Sequence, residues 1–309
     1  MSAASDIALG DSMLPGPTAP LTASGNLRRR AAVSRLVELS ATGAALAAVA
    51  VLAIVVYGVI VRGASALSLS FVTTNPSGLA GGGIFNSLIG SLEIVALGAA
   101  LAVPVGILTG LYLTEFAGPQ SRSAGALKLA LDMMQGLPTI VVGLFVYGLI
   151  VIPQHHDSGL AGAIALAIIM LPLIARSSQE VLLLVPGTLR EAADALGVSR
   201  WRTVLGVILP TAMGGILTGA ILATARGAGE TAPLLICDSI FNPNTTQLNP
   251  FSVHGVPNVP MFIYTSFDLP LTQAVTRAWG AAFALLTFVL LANILARVVL
   301  ARSRAKMSG

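Results

Sequence analysis

Six charge-poor apolar stretches, each close to 25 residues long, constrain this chain more than any other feature. They cover residues 37–61, 87–113, 127–152, 160–184, 203–226 and 274–299. A helix needs roughly 20 apolar residues to cross about 30 Å of hydrocarbon, so each is long enough to span a bilayer. In lipid every backbone N–H and C=O must find a partner within the protein, and a helix does this along its own length. The whole chain is 55% hydrophobic and only 10% charged, against about 25% charged in soluble domains. Aromatic residues make up 5% while Gly occurs 32 times, a bias that lets membrane helices approach closely. The expected fold class is therefore an all-α membrane protein with six transmembrane helices.

Arg and Lys set the orientation, because they resist translocation and stay on the cytoplasmic side. With six spans and both termini inside, thirteen of the 17 basic residues fall in inner segments: Arg28, Arg29, Arg30, Arg35, Arg122, Lys128, Arg190, Arg200, Arg202, Arg297, Arg302, Arg304 and Lys306. Arg62 and Arg277 fall to the outer segments, and Arg176 and Arg226 lie within spans. The basic residues are scattered over short juxtamembrane segments, so they fit lipid headgroups rather than nucleic acid. The chain divides into a disordered cytoplasmic segment (1–36), a first span (37–61), a core with five spans (62–300) and a cytoplasmic tail (301–309). The first apolar run is too long for the core of a signal peptide. The longest connection, about 227–273, lies outside; residues 231–240 are apolar enough to re-enter the membrane or extend the fifth helix, and the rest is rich in Asn and Pro. The single cysteine, Cys237, has no partner for an internal disulfide.

Between the fourth and fifth spans lies Pro186-Gly-Thr-Leu-Arg-Glu-Ala-Ala-Asp-Ala-Leu-Gly-Val-Ser-Arg-Trp-Arg-Thr-Val-Leu-Gly-Val-Ile-Leu-Pro210. Thr188 followed by Glu191 predicts a capping box, Gly197 predicts the helix end, and Pro210 a kink or the start of the next span. The segment reads as a short amphipathic cytoplasmic helix, about 187–200, with Ala192, Ala193, Leu196 and Trp201 on its apolar face. Glu191-Ala192-Ala193, Gly197 and Val207-Ile208-Leu209-Pro210 resemble the EAA loop of bacterial ABC importer permeases, with Val207 where Ile is usual. That resemblance implies a type I ABC importer permease fold (MetI-like). It also implies that Arg190, Glu191, Ala192, Ala193, Gly197 and Trp201 form a helix docking on an ATPase. A phosphate-cradling P-loop needs Gly-Lys followed by Ser or Thr. The two lysines precede Leu129 and Met307, so hydrolysis of ATP falls to a partner.

Three further stretches, 132–147, 171–180 and 225–235, resemble the PstA permeases of bacterial phosphate importers, most specifically at Arg226-Gly-Ala-Gly-Glu-Thr-Ala-Pro233. Leu137 and Thr139 depart slightly from that pattern, and Glu93 stands where an apolar residue is expected. The resemblance implies a PstC-like second permease, a PstB-like ATPase dimer carrying ATP and Mg, a PstS-like phosphate-binding protein, and a place in the bacterial plasma membrane. No cofactor is expected on this chain.

The residues agree with an anion pathway on chemical grounds. Desolvating phosphate without counter-charge is prohibitive, and Arg presents a planar fork of donors matched to its oxygens. Arg176 and Arg226 each have an acid four residues on, Glu180 and Glu230, a spacing that shares one helical face. These four, with Thr231, are the candidate pathway residues. Each pair also reads as a neutralised structural contact. Asp132 reads as a charge at a helix start. His155 and His156 read as solvated loop residues. Pro104, Pro138 and Pro172 predict kinks. A related oxyanion or phosphonate importer, and a signalling or scaffold subunit, stay open as alternatives. No catalytic or metal-binding set of residues is recognised, so no enzyme is expected.

Overall fold

Pro138 decides how the third apolar stretch folds, and it does not fold as one span. The computed structural model describes residues 25–78, 81–118, 120–239, 248–251 and 254–307. Within it the expected span 127–152 is two helices, Arg122–Gly136 and Thr139–Gln154, bent by 104°. Proline lacks an N–H and disfavours the α conformation in the residue before it. Leu137 accordingly takes φ −72° and ψ 132°, an extended conformation. Pro104 and Pro172, in contrast, lie inside helices that run on without a break. Five other helices are long and apolar enough to cross a membrane.

The chain divides into two units, Met1–Tyr57 and Gly58–Gly309. Helix α1 (Gly25–Gly63) supplies the described part of the first, and its membrane-length window has no buried residue. It takes in residues 25–36, which the sequence assigns to a disordered segment, because the Leu, Arg and Ala there are strong helix formers that extend the span. Residues 1–24 of that segment lie outside the described residues.

In the second unit, α2 (Leu69–Thr73) and a small hairpin of β1 (Pro76–Ser77) and β2 (Gly81–Gly82) lead into α3 (Phe85–Leu111), which a π-helical turn extends to Phe116. The bent pair follows: α4 (Arg122–Gly136), then α5 (Thr139–Val146), a second π-helical turn and one-turn α6 (Ile152–Gln154). Next come α7 (Gly159–Leu183), α8 (Gly187–Ala195) and α9 (Arg200–Thr203), which runs through a third π-helical turn (Val204–Ile208) into α10 (Leu209–Gly227). Pro210 has no N–H for the carbonyl four residues back, and the backbone N–H of Leu209 instead reaches Val204 O, five residues back. Helices α11 (Ala232–Cys237), α12 (Val259–Asp268) and α13 (Thr272–Met307) complete the order. The described chain is thus helical beyond residue 300, where a tail was expected.

Helix α7 is the centre of this unit. Of its membrane-length window 61% is buried, against 39% for α3 and 28% for both α10 and α13. Small residues make that position possible. A Cβ added at Gly98, Gly106 or Gly110 of α3 would lie 2.9, 2.8 or 2.8 Å from Ala163 O, Ile174 Cβ and Ser178 Cβ of α7. Both sets of positions ascend together, so α3 and α7 run parallel, as the second and fourth spans of a serpentine chain must. On another side of α7, Gly227 of α10 lies against Met170, where a Cβ would come within 2.7 Å of the sulfur. Between these contacts Ile94, Leu166, Met170, Ile174, Ala220 and Leu234 form the main core cluster.

The apolar segment 231–240 folds as a separate helix, α11, packed against α5, not as an extension of α10. The carboxylate of Asp238 then holds the connection beyond it. Its Oδ1 accepts the Val256 N–H at 2.7 Å and its Oδ2 the Asn258 side-chain amide at 3.1 Å. Asn258 in turn caps α12 through Met261 N–H. Much of the expected loop, residues 240–247 and 252–253, lies outside the described residues.

If the α3–α7 approach organises the unit, Gly106→Leu should lower stability by ~1–3 kcal/mol or more, since overpacking a tight interface forces side chains off their rotamers. Gly148→Leu, where a Cβ meets nothing within 4 Å, should leave it unchanged. Thermal unfolding of the detergent-purified protein checks both.

Candidate functional site

Helix α8 projects from one end of the bundle because its two boundaries are set locally. Pro186 forms its N-terminal boundary with φ −56° and ψ 135°, and no side chain caps the first turn. The expected Thr188–Glu191 capping box is therefore absent: proline starts the helix two residues earlier, which leaves Thr188 inside it. At the other end the expectation holds. Gly197 takes φ +68°, a left-handed conformation that side chains with a Cβ resist. Gly197 N–H bonds to Asp194 O at 3.0 Å and Val198 N–H to Ala193 O at 3.0 Å, closing the helix in a Schellman motif. Ala193 is buried, while Glu191, Ala192, Leu196 and Trp201 are exposed.

Arg190 points the other way. Its Nε donates to both oxygens of Glu115 at 3.2 Å, and its Nη2 donates to Glu115 Oε1 at 2.6 Å. The same guanidinium donates to Val185 O at 2.8 Å, just past α7, and to Leu182 O at 3.1 Å in its last turn. The side chain of Glu115 is only 1% exposed, and Arg200 adds a second positive charge at 3.8 Å. Beside it the Phe116 and Trp201 rings lie 4.5 Å apart. Arg190 and Trp201 thus tie α8 and α9 back to the π-helical turn that ends the second span, Ala193 is buried, and Glu191, Ala192 and Gly197 are exposed. Glu115 and Phe116 were missed in the sequence. The one available signal was an isolated acid near the end of an apolar stretch.

Arg176 is not neutralised by Glu180. It forms an ion pair with Asp132, accepts no help from the i+4 acid, and donates to Lys128 O at 3.3 Å and Gln179 Oε1 at 3.1 Å. Asp132 lies well inside α4, not at a helix start, and the pair fastens α4 to α7. Glu180 is exposed.

Arg226 and Glu230 do not share a helical face, because α10 ends between them at Gly227. The chain turns through Gly229 N–H to Arg226 O at 3.0 Å and Glu230 N–H to Gly227 O at 3.1 Å before α11 begins. Arg226 and Thr231 are exposed, Glu230 is half-buried, and none of the described residues forms an ion pair with Arg226 or Glu230. Thr231 lines an open groove of about 390 Å³ with Pro260, Ile263, Tyr264, Phe267 and Asp268. The break therefore leaves Arg226 and Glu230 without ion pairs, and of the three residues only Thr231 lines the groove.

A membrane bundle with a braced helical knob at one end and an interrupted helix within is built as a transport permease. Residues 102–305 match the family of binding-protein-dependent transport system inner membrane components. The phosphate transport system permease protein PstA of Haemophilus influenzae is 40% identical over 79% of this chain and 85% of its own length. That of Yersinia pestis is 38% identical over 81% and 84%, and PstA 1 of Mycobacterium tuberculosis 38% over 71% and 70%. The fold is similar to that of an inward-facing MetNI methionine ABC transporter, with a TM-score of 0.54 and 18% identity over 71% of this chain and 94% of that one. The chain belongs to the binding-protein-dependent inner membrane component family, among the PstA permeases, and is a multi-pass inner-membrane transport subunit.

Removing Arg190 would leave the buried Glu115 carboxylate with only the more distant Arg200, at 3.8 Å, as counter-charge. Breaking such a pair costs about 3 kcal/mol, the low end of its range because Arg190 keeps 25% side-chain exposure. Arg190→Ala should therefore destabilise by that amount in chemical unfolding. Replacing Glu115 and Arg190 together by Leu should recover most of the loss, which separates a stranded charge from lost packing.

Proposed function

We propose that this chain is the membrane permease of an ATP-driven phosphate importer and forms half of its pathway, with both termini cytoplasmic. The carrying observation is α8: a helix held from behind by Arg190 and Glu115 and presenting Glu191, Ala192 and Leu196 outward. A helix so braced passes a push to α7 and to the second span rather than dissipating it in side-chain motion. The occupant of that face is a PstB-like ATPase pair, which binds ATP and Mg. A PstC-like permease supplies the other half of the pathway, and a PstS-like protein delivers phosphate at the opposite end. Similarity to the phosphate transport system permeases supports phosphate as the substrate.

In the pathway, Arg226 offers the anion a fork of donors where α10 stops, and Thr231 adds a hydroxyl from the start of α11. Glu230, flexibly joined through Gly229, competes for the same guanidinium and so prevents a trap. Arg176, held by Asp132, serves as a brace between α4 and α7, with Glu180 exposed nearby at the α8 end.

Arg226→Lys should reduce phosphate uptake at least about tenfold, the loss of one charge-assisted bidentate contact, with the complex still assembled. Glu230→Gln should slow turnover without weakening phosphate binding. Radiolabelled phosphate uptake into proteoliposomes, competed with sulfate and molybdate, reads both effects. Unchanged uptake in both variants removes these residues from the pathway, and equal competition by sulfate removes phosphate as the specific substrate.

A further inference from the structure

A second polar site lies at the end of the bundle away from α8. Helix α3 defines the two ends: it begins beside Gly83, and its π-helical extension carries Glu115, which meets Arg190. At the Gly83 end an open pocket of about 560 Å³ is lined by Ser68, Ser70, Thr74, Thr272, Thr276 and Arg277, among others. Arg277, expected in an outer segment, is in fact buried in the second turn of α13 and only 9% exposed. One reason is that its guanidinium lies over the Phe262 ring, 5.2 Å from the centroid. Its Nη2 donates to Gly83 O at 3.2 Å, but its Nε is buried with no acceptor.

Three features converge on an anion. Arg277 lines the pocket, and its guanidinium has donors beyond the single bond to Gly83 O that an oxygen ligand can accept. Thr272 and Gln273 bring the first turn of α13 into the lining, and a helix N-terminus adds positive potential and free N–H groups. No lining residue is acidic, and no described carboxylate lies within ion-pair distance of Arg277. Two sources of positive potential thus meet in one hydroxyl-rich pocket without a counter-charge. Ser68 and Ser70 share a hydrogen bond at 2.8 Å, which uses one of their two hydroxyl protons and leaves the other to donate to a tetrahedral oxyanion.

We propose that this pocket binds a phosphate-type oxyanion through Arg277, either a free phosphate ion or the phosphate of a lipid headgroup. The site is separate from Arg226 and does not depend on the transport reading. The test uses the full chain, delipidated in detergent and, in parallel, exchanged into phosphatidylglycerol-containing nanodiscs and extracted again. Equilibrium binding of radiolabelled inorganic phosphate is measured on the first sample and bound phospholipid by native mass spectrometry on the second. Arg277→Gln should abolish the binding. Gln273→Glu places an acid at the exposed rim, where a helix start tolerates it, and should weaken binding at least about tenfold by like-charge repulsion. Arg122→Gln, exposed at the start of α4 at the opposite end of the bundle, should leave it unchanged. Sensitivity of inorganic phosphate binding to both pocket variants assigns a free-ion site, and sensitivity of retained phospholipid assigns a headgroup site. If Gln273→Glu matches the wild type in both arms, or if the wild type binds neither ligand, the proposal is overturned, whether or not Arg277→Gln folds.

Discussion

The close approach of α3 to α7 governs the rest of this structure. In lipid, apolar surface gains little by leaving a solvent that is itself apolar, so helices associate through dispersion contacts that decay steeply with distance. Gly98, Gly106 and Gly110 remove the side chains that would hold the two backbones apart. The parallel pair that results places the start of α3 near the start of α7 and carries Glu115 to where α7 ends. Both polar ends of the bundle follow from that alignment. At one end Glu115 receives Arg190 and braces α8; at the other Gly83 receives Arg277 and shapes a pocket.

The polar contacts differ in what they hold. Arg190 engages a buried carboxylate and two backbone carbonyls at once, so most of its donors are spent within the protein. Arg176 is engaged by Asp132, Lys128 O and Gln179. Arg226, by contrast, is exposed in the last turn of α10, where the helix stops, without an ion-pair partner among the described residues. Buried cations that are fully engaged make structure, and those left short of partners are open to ligands.

The sequence made some of this legible for physical reasons that separate the hits from the misses. Apolar stretches report helices in lipid because nothing else satisfies the backbone, and five of the six expected spans fold as single helices. The stop at Gly197 is a property of one residue's conformational range and was readable locally. The kink at Pro138 was readable from the proline itself, but its size, 104°, was not, because hydropathy carries no information on direction. Partner choice was misread wherever it is nonlocal. Arg176 ignores Glu180 four residues on and pairs with Asp132, 44 residues back; Arg190 pairs with Glu115, 75 residues back. The i+4 spacing also presumes a continuous helix, and at Arg226 the helix ends first. Arg277 was assigned to a loop because a charge reads as solvent-facing until Phe262 and Gly83 are seen around it.

The account holds that α8 is the surface through which an ATPase drives this bundle, and cross-linking tests that directly. Cys237 is fully buried and will not compete, so Ala192→Cys on the exposed face of α8 carries the only reactive thiol on the surface of the described residues. In the assembled, transport-active complex this thiol should form an adduct with the ATPase subunit, and the yield should change when ATP is bound. Absence of any adduct from Ala192→Cys and Leu196→Cys, in a complex that still transports, would contradict the account.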